Sequence, residues 1–225
     1  MKAMKLVPVL SLLFPAVALA QPAAESVDGR AHFDHPVGPV TSKFELGIST
    51  GYSQGVGKLG GGMANYEDVA GAGGLVEVDL GYRILPRLSL GVYGTFARYQ
   101  KGDDVAGNAT VVGGTAGIQA VVHLRPDRSV DPWVSLGTGW KALRVDPVNH
   151  TSTSMQGLEL ARLQVGVDYR ISRDVAIAPV IGASLSTFLS QDNEMTDSLT
   201  EIEDKKVNFT GFAGVAGRFG LGGAR

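Results

Sequence analysis

Between residue 43 and residue 219 the chain contains segments that alternate apolar residues with small or polar ones at a period of two. In the first such segment, Phe44, Leu46 and Ile48 occupy one face, and small or polar residues separate them. This period predicts β-strands with one apolar face, because successive side chains of a strand point to opposite sides. Eight segments show the pattern: residues 43–52, 76–83, 88–96, 112–123, 134–141, 162–170, 175–186 and 208–219.

The connections between these segments alternate in length. Short turns are predicted at 85–87, 126–132 and 172–174, and long loops at 54–71, 100–108, 145–155 and 190–206. An even number of strands with long loops on one side and short turns on the other is typical of a membrane barrel. The sequence therefore predicts an all-β fold: a closed antiparallel transmembrane up-and-down β-barrel of about eight strands over residues 42–220.

The aromatic residues indicate the same architecture. In the predicted topology they fall near both ends of the strands, where membrane interfaces favour aromatic rings. Chance placement in a β-rich chain is the alternative. Tyr52, Phe96, Trp140, Phe188 and Phe209 are predicted at the loop ends, and Phe44, Tyr82, Tyr169 and Phe219 at the turn ends.

The N-terminal residues have the pattern of an export signal. Lys2 and Lys5 precede an apolar run over 6–14, and Ala18-Leu19-Ala20 is a small-x-small cleavage motif. We predict a signal peptide over 1–20 that is cleaved after Ala20, a periplasmic tail over 21–41, and a C-terminal extension over 221–225.

Composition excludes several classes of protein. The chain has no cysteine, so neither a disulfide framework nor a thiolate metal site can form. Its formal net charge of −2 gives no basic surface for nucleic acid. After residue 20 no apolar stretch is long enough for a membrane helix, although strands can cross with fewer residues. No cofactor or metal is predicted.

Two features fit a strand poorly. Pro179 interrupts the seventh segment, where it removes a backbone donor and predicts a bulge or weakened pairing. Glycines such as Gly113, Gly114 and Gly117 weaken a strand unless they let the wall bend or neighbours approach closely.

The inward face of the predicted barrel collects polar and charged residues. The lumen of an eight-stranded barrel is just wide enough for side chains to fill it, so we predict a polar plug in which opposite charges neutralise one another. A proton or ion pathway is the alternative. We expect Arg162 to meet Glu77 or Asp79. The predicted lumen network comprises Glu45, Glu77, Asp79, Gln119, His123, Lys141, Arg162, Gln164, Asp168 and Arg170.

Together these features resemble the small eight-stranded bacterial outer-membrane barrels, the class that contains the OmpA transmembrane domain, OmpX and the OmpW-like proteins. The segment Val215-Ala216-Gly217-Arg218-Phe219 is similar to the C-terminal assembly signal of that class, with Phe219 as its aromatic. The chain departs from the pattern because residues 220–225 follow Phe219 and because Gly217 stands where an aromatic is common.

The resemblance implies a location in the bacterial outer membrane, with lipopolysaccharide as a neighbour and the barrel-assembly machinery as a partner. It implies a structural or surface-interaction role. The alternative that it leaves open is a narrow channel for small or hydrophobic solutes, as in the OmpW-like group.

Several residues could mediate interactions outside the lumen. Arg98 and Arg144 point outward near the loop ends, where lipid phosphates would lie, so we predict lipid-phosphate contacts there. Loops 54–71 and 190–206 are candidate surfaces for a partner. The second is rich in carboxylates, which could bridge divalent cations to lipid phosphates.

Catalytic motifs are weak. His150-Thr151-Ser152 resembles the His-x-Ser pair of outer-membrane lipid A deacylases, with Glu159 as the nearby outward acid. The glycine-rich run 55–60 fails the spacing of a phosphate-binding loop. His32 and His35 are close in sequence but lie in the predicted tail. A lipid-modifying enzyme is therefore only a minor alternative, and no catalytic residue is predicted.

Overall fold

A computed structural model describes residue 36 and residues 42–105, 107–148, 151–193 and 198–222. The predicted signal peptide and cleavage site, and the predicted tail apart from Pro36, lie outside the described residues. Among the described residues, no helix has the length and apolar character that a membrane crossing requires. The elements are β1 (Lys43–Gly57), α1 (Tyr66–Val69), β2 (Ala70–Leu85), β3 (Leu88–Lys101), β4 (Ala109–His123), β5 (Val130–Pro147), β6 (Thr153–Arg170), β7 (Val175–Asn193), β8 (Ser198–Glu201) and β9 (Val207–Leu221).

Eight long antiparallel strands close into a barrel. β1 to β7 pair in chain order, and β9 pairs with both β7 and β1. Closure satisfies the backbone N–H and C=O groups of both edges, which lipid could not do. The short β8 pairs with β7 beyond the end of the β7–β9 pairing, so it extends the sheet at one end of the barrel. The predicted closed antiparallel barrel is confirmed.

The long loops lie at one end of the barrel, called the loop end here, and the short connections lie at the other, the turn end. The strands extend further into the loop end than their side-chain pattern indicates. β7 continues to Asn193, inside the predicted loop 190–206, and β5 and β6 reduce the predicted loop 145–155 to a few residues. Backbone pairing can continue past the apolar segment because it does not depend on side-chain polarity.

The outer wall is apolar. Leu136, Ile118 and Ile181 are 60%, 63% and 60% exposed, as a surface meant for lipid requires. The predicted aromatics also point outward, except Phe188, which is fully buried inside the barrel. Its assignment to the outer aromatic ring was wrong, because position 188 continues the inward set of β7 that includes Ser184 and Ser186.

A β-bulge in β6 changes which side chains face the lumen. The register against β7 shifts between Glu159 and Ala161, and the register against β5 shifts between Gly137 and Gly139. An extra residue in one strand reverses the alternation beyond it. As a result both Glu159 and Arg162 are buried in the lumen, and the prediction of Glu159 as an outward acid was wrong.

Pro179 weakens the sheet on one side only. On the β9 side it stays in register opposite Val215. On the β6 side the register is unchanged, but the described pairs stop at Val180 and resume at Ile177. The predicted weakening is therefore present, without a bulge.

Candidate functional site

The candidate site is the barrel lumen, whose described side chains lie in three layers. An apolar layer lies at the loop end, a charged layer crosses the middle, and a second charged layer lies at the turn end. We call these the cap layer, the middle layer and the turn-end layer.

The cap layer forms where the connection between β1 and β2 folds into the barrel mouth. The short helix α1 places the Tyr66 ring inside, fully buried, with centroids 6.2 Å from Phe188 and 6.3 Å from Tyr99. Gly55 makes room for this ring, since a Cβ at residue 55 would lie 2.3 Å from Tyr66 ring atoms. The glycine-rich run at 55–60 therefore serves packing. Other buried members of the layer are Leu59, Ala70, Leu75, Ala97, Val105, Val111, Leu143, Val145, Met155 and Ile202.

The two loops predicted as partner surfaces contact each other over this layer. Gly61, in loop 54–71, donates its backbone N–H to the carbonyl of Asp204, in loop 190–206, at 2.6 Å. Ile202 of the second loop is buried in the same apolar cluster. The described parts of the two loops thus meet over the barrel mouth and together are called the cover.

The middle layer is organised around Arg162. Its guanidinium forms an ion pair with Glu77 and lies 3.8 Å from a carboxylate oxygen of Glu159. Gln164 donates to the second oxygen of Glu77 at 2.9 Å, and the Tyr93 hydroxyl donates to Glu159. The expected contact of Arg162 with an acidic residue of the second strand is therefore made with Glu77.

Aromatic rings complete the surroundings of Arg162. Its guanidinium carbon lies 4.8 Å from the Tyr93 ring centroid and 4.5 Å from that of Phe212. Both distances are within the range of cation–π attraction. The charge is thus enclosed by two acids and two rings.

Lys141 joins the middle layer to the cap layer. Its ammonium donates to Ser186 at 3.0 Å and to Thr210 at 2.8 Å, and it lies 4.9 Å from the Tyr66 ring centroid. Among the described residues no carboxylate lies within ion-pairing distance of it. With Arg162 it balances the two carboxylates of the middle layer, so this layer carries no formal net charge.

A chain of charged side chains crosses the turn-end layer. Arg83 pairs with Glu45 at 2.7 Å, donates to the Pro86 carbonyl at 3.0 Å and contacts His123 Nε2 at 2.9 Å. His123 Nδ1 lies 2.8 Å from Asp131, which Arg170 approaches at 3.4 Å. Because the guanidinium can only donate, the neutral His123 ring accepts at Nε2 and donates its Nδ1 proton to Asp131.

Asp168 lies at the centre of a second group in this layer. It accepts a hydrogen bond from the Trp133 indole at 2.8 Å and lies 3.6 Å from Arg218, which stacks 4.0 Å from the Trp133 ring centroid. Ligand atoms of His123, Asp131 and Asp168 lie within 4.8 Å of one another. Each of these three side chains is part of the network just described: His123 contacts Arg83, Asp131 contacts His123 and Arg170, and Asp168 contacts Trp133 and Arg218.

The remaining predicted lumen residues also face inward. Gln119 accepts a hydrogen bond from Ser135 at 3.0 Å. Asp79 lies against Gly47, where an added Cβ would be 2.0 Å from its carboxylate oxygen. Among the described residues Asp79 forms no ion pair. Of the two acids expected to meet Arg162, only Glu77 does so.

Lys43 ties the turn end together at the seam between β1 and β9. Its buried ammonium donates to Asp174 at 2.5 Å, and the backbone of Gly220 donates to the Asp174 carbonyl at 2.7 Å. The hydrogen bond and charge of Lys43 lower the pKa of the Asp174 carboxyl below its ordinary value.

Two small cavities lie between side chains of the lumen. One of about 30 Å³ is lined by Lys141, Glu159 and Arg162, and one of about 10 Å³ by Glu45 and Asp79. A single water needs roughly 10–15 Å³. These spaces have room for isolated waters between the charged groups.

Sequence reasoning missed several members of the network. Arg83 and Arg218 face inward by their strand period, so the pattern could have identified them. Asp131 lies in the predicted turn 126–132, which is partly strand in the structure. Glu159 was hidden by the bulge, for which the sequence has no clear signal.

Arg98 and Arg144, the predicted lipid contacts, are both exposed on the outer wall near the loop end. Each pairs directly with Val112, so they stand in one row of the sheet on either side of β4. Arg144 donates to Asp146 at 2.8 Å. Phe219, the predicted assembly signal, is 38% exposed on the outer wall at the turn end.

The structure describes only part of the weak catalytic motif. His150 lies outside the described residues, while Ser152 lies in the loop between β5 and β6. Glu159, the acid considered for this motif, is 2% exposed and lies in the lumen. It therefore cannot act on a substrate at the outer wall.

The sequence matches no protein-family model, and no curated protein resembles it in sequence at a significant level. Solved structures do resemble it in fold. The crystal structure of Neisserial surface protein A matches with a TM-score of 0.53 and 16% identity, over 78% of this chain and 96% of that one. The solid-state NMR structure of outer membrane protein AlkL in lipid bilayers matches with a TM-score of 0.53 and 12% identity, over 90% of this chain and 99% of that one.

The fold is thus that of the small eight-stranded outer-membrane β-barrels. At these identities the likeness concerns the fold alone.

Proposed function

We propose that this protein is an outer-membrane barrel with a closed lumen and a structural or surface-interaction role. The observation that carries the proposal is the middle layer, where Arg162 is enclosed by Glu77, Glu159 and two aromatic rings. A solute passing through would have to break a buried ion pair, which costs several kcal/mol. The Tyr66 cap covers the same path at the loop end.

In this proposal the working surface is the cover formed by loops 54–71 and 190–206. Exposed acidic residues lie on it, including Glu67, Glu201, Glu203 and Asp204. Charged, solvated loops held by a rigid barrel are a common arrangement for contacts with a partner. Phe219, on the outer wall at the turn end, is proposed as the residue that the barrel-assembly machinery recognises.

Single-cysteine labelling tests the location and orientation. The chain has no cysteine of its own, so one introduced thiol reports on one position. We expect Asp103→Cys, in the loop after β3, to react with a membrane-impermeant maleimide in intact cells. Arg173→Cys, at the turn end, should react only after the outer membrane is permeabilised. If only Arg173→Cys is labelled in intact cells, the orientation is the reverse of the one proposed. If neither variant is labelled, the loop end is not exposed at the cell surface.

Uptake into protein-containing liposomes separates the closed barrel from a narrow channel. We expect small hydrophilic and small hydrophobic solutes to enter no faster than into protein-free liposomes. Selective uptake of the hydrophobic solutes would instead favour the channel.

A further inference from the structure

A groove lies on the outside of the barrel near the loop end, where β1, β2 and β3 are neighbours. Its floor is Gly74, which pairs with Tyr52 on one side and with Arg98 on the other. Tyr52 and Arg98 are exposed and form its two walls. The groove is open to its surroundings, with about 530 Å³ of space above it.

The sequence creates this groove by omitting side chains. Residues 70–74 carry nothing larger than a methyl group, and the register against β3 shifts between Ala70 and Gly73. A Cβ added at Gly74 would have only the Gly51 carbonyl oxygen near it, at 4.0 Å. The floor of the groove is therefore low because the sequence has glycine at residue 74, although the outer surface of the barrel has space for a larger side chain there.

The charge around the groove is positive. Arg98 is the charged residue that lines it, and no carboxylate does. Among the described residues Arg98 has no ion-pair partner. Arg144 lies in the same row beyond Val112, and neighbouring strands are roughly 4.8 Å apart, so the two arginine backbones are about 10 Å apart. Because Asp146 partly neutralises Arg144, Arg98 is the stronger anchor for an anion.

We propose that this groove binds one lipid of the outer leaflet that has lipid A chemistry, with two phosphates and several acyl chains. Arg98 holds one phosphate by charge-assisted hydrogen bonds, for which a guanidinium is well suited. Arg144 contacts the second phosphate, and an acyl chain lies on Gly74 against the Tyr52 ring. The inference rests on the proposed orientation, in which the loop end faces outward.

Titration of the detergent-folded protein with diphosphoryl lipid A tests the site, with native mass spectrometry counting bound lipid. Gly74→Leu fills the groove, and Arg98→Ala removes the anchor. Because a hydrogen bond to a charged group is worth about 1.5–3 kcal/mol, we expect Arg98→Ala to weaken binding by about tenfold or more. Gly74→Leu should reduce binding to a similar degree, and Arg98→Ala with Arg144→Ala should reduce it further.

Matched controls separate the groove from general effects. Gly94 is also an outward glycine, with the nearest atom to an added Cβ at 4.0 Å, so Gly94→Leu adds the same side chain outside the groove. Arg173→Ala removes an exposed charge at the turn end. Both controls should bind like wild type, and all variants should keep the mobility shift on boiling that reports a folded barrel.

The proposal is overturned if Gly74→Leu and Arg98→Ala bind diphosphoryl lipid A like wild type. If dephosphorylated lipid A binds as tightly as diphosphoryl lipid A, Arg98 does not act as a phosphate anchor. If phosphatidylglycerol binds as tightly, the groove is a general surface for anionic lipids and not a lipid A site. The labelling of Asp103→Cys in cells is independent of this titration, so a failed orientation and a failed lipid site can be distinguished.

Discussion

Arg162 illustrates how one buried charge fixes the residues around it. The residue is 4% exposed, and the carboxylates of Glu77 and Glu159 compensate its charge. The alternation of residues along each strand was enough to predict Arg162 and Glu77 on the inner face at comparable depth, because neither predicted segment, 76–83 or 162–170, contains the bulge. Glu159 could not be predicted, since the bulge that turns it inward depends on pairing with β5 and β7.

We expect Arg162→Ala to lower the free energy of unfolding by about 3–5 kcal/mol, the range for breaking a buried pair. The loss arises because two buried carboxylates keep their desolvation cost without their cation. Combining Arg162→Ala with Glu77→Gln should cost less than Arg162→Ala alone, because one of the two stranded charges is removed.

Denaturant unfolding in lipid vesicles, followed by tryptophan fluorescence, measures this difference. Arg173→Ala is the matched control, since removing an exposed arginine at the turn end should change stability by no more than about 0.5 kcal/mol. If Arg162→Ala is as stable as that control, the middle layer does not depend on the ion pair.

Among the elements, the strands were predictable and the cap was not. A period of two identifies a strand locally, so all eight long strands were identified from the sequence. The helix α1 has only four residues, too few for a periodic pattern, and it is held by contacts with residues far along the chain, such as Phe188. The same contacts explain why Phe188 was assigned to the wrong side of the wall.

We expect Tyr66→Ala to release the cap from the barrel mouth. Truncating a buried aromatic costs about 3–5 kcal/mol, more than a four-residue helix can recover by itself. Gly55→Leu should have the same effect, because its side chain would occupy the space of the Tyr66 ring.

Limited trypsin digestion at the exposed Lys58, next to the cap, reads out this release. Both variants should be cut faster than wild type, and Tyr169→Ala, which removes an exposed tyrosine from the outer wall, should be cut at the wild-type rate. Unchanged cleavage of Tyr66→Ala would mean that the loop is held by other contacts.

At the scale of the whole molecule, closure follows from the solvent. An open sheet edge in lipid leaves backbone groups unpaired at several kcal/mol each, so an even set of amphipathic strands with asymmetric connections could be predicted to close. The contents of the lumen were predictable by residue type but not by partner. Which acid meets which base depends on strand stagger and on one bulge, and both are properties of the assembled barrel.

Single-channel recording in a planar lipid bilayer tests most directly whether the lumen is closed. We expect the folded wild-type protein to insert without a steady conductance, because the space beside Lys141, Glu159 and Arg162 measures about 30 Å³ and the Tyr66 cap covers the mouth. A steady, ohmic conductance from the wild-type protein that rises in Arg162→Ala would contradict this account and would make the barrel a conduit.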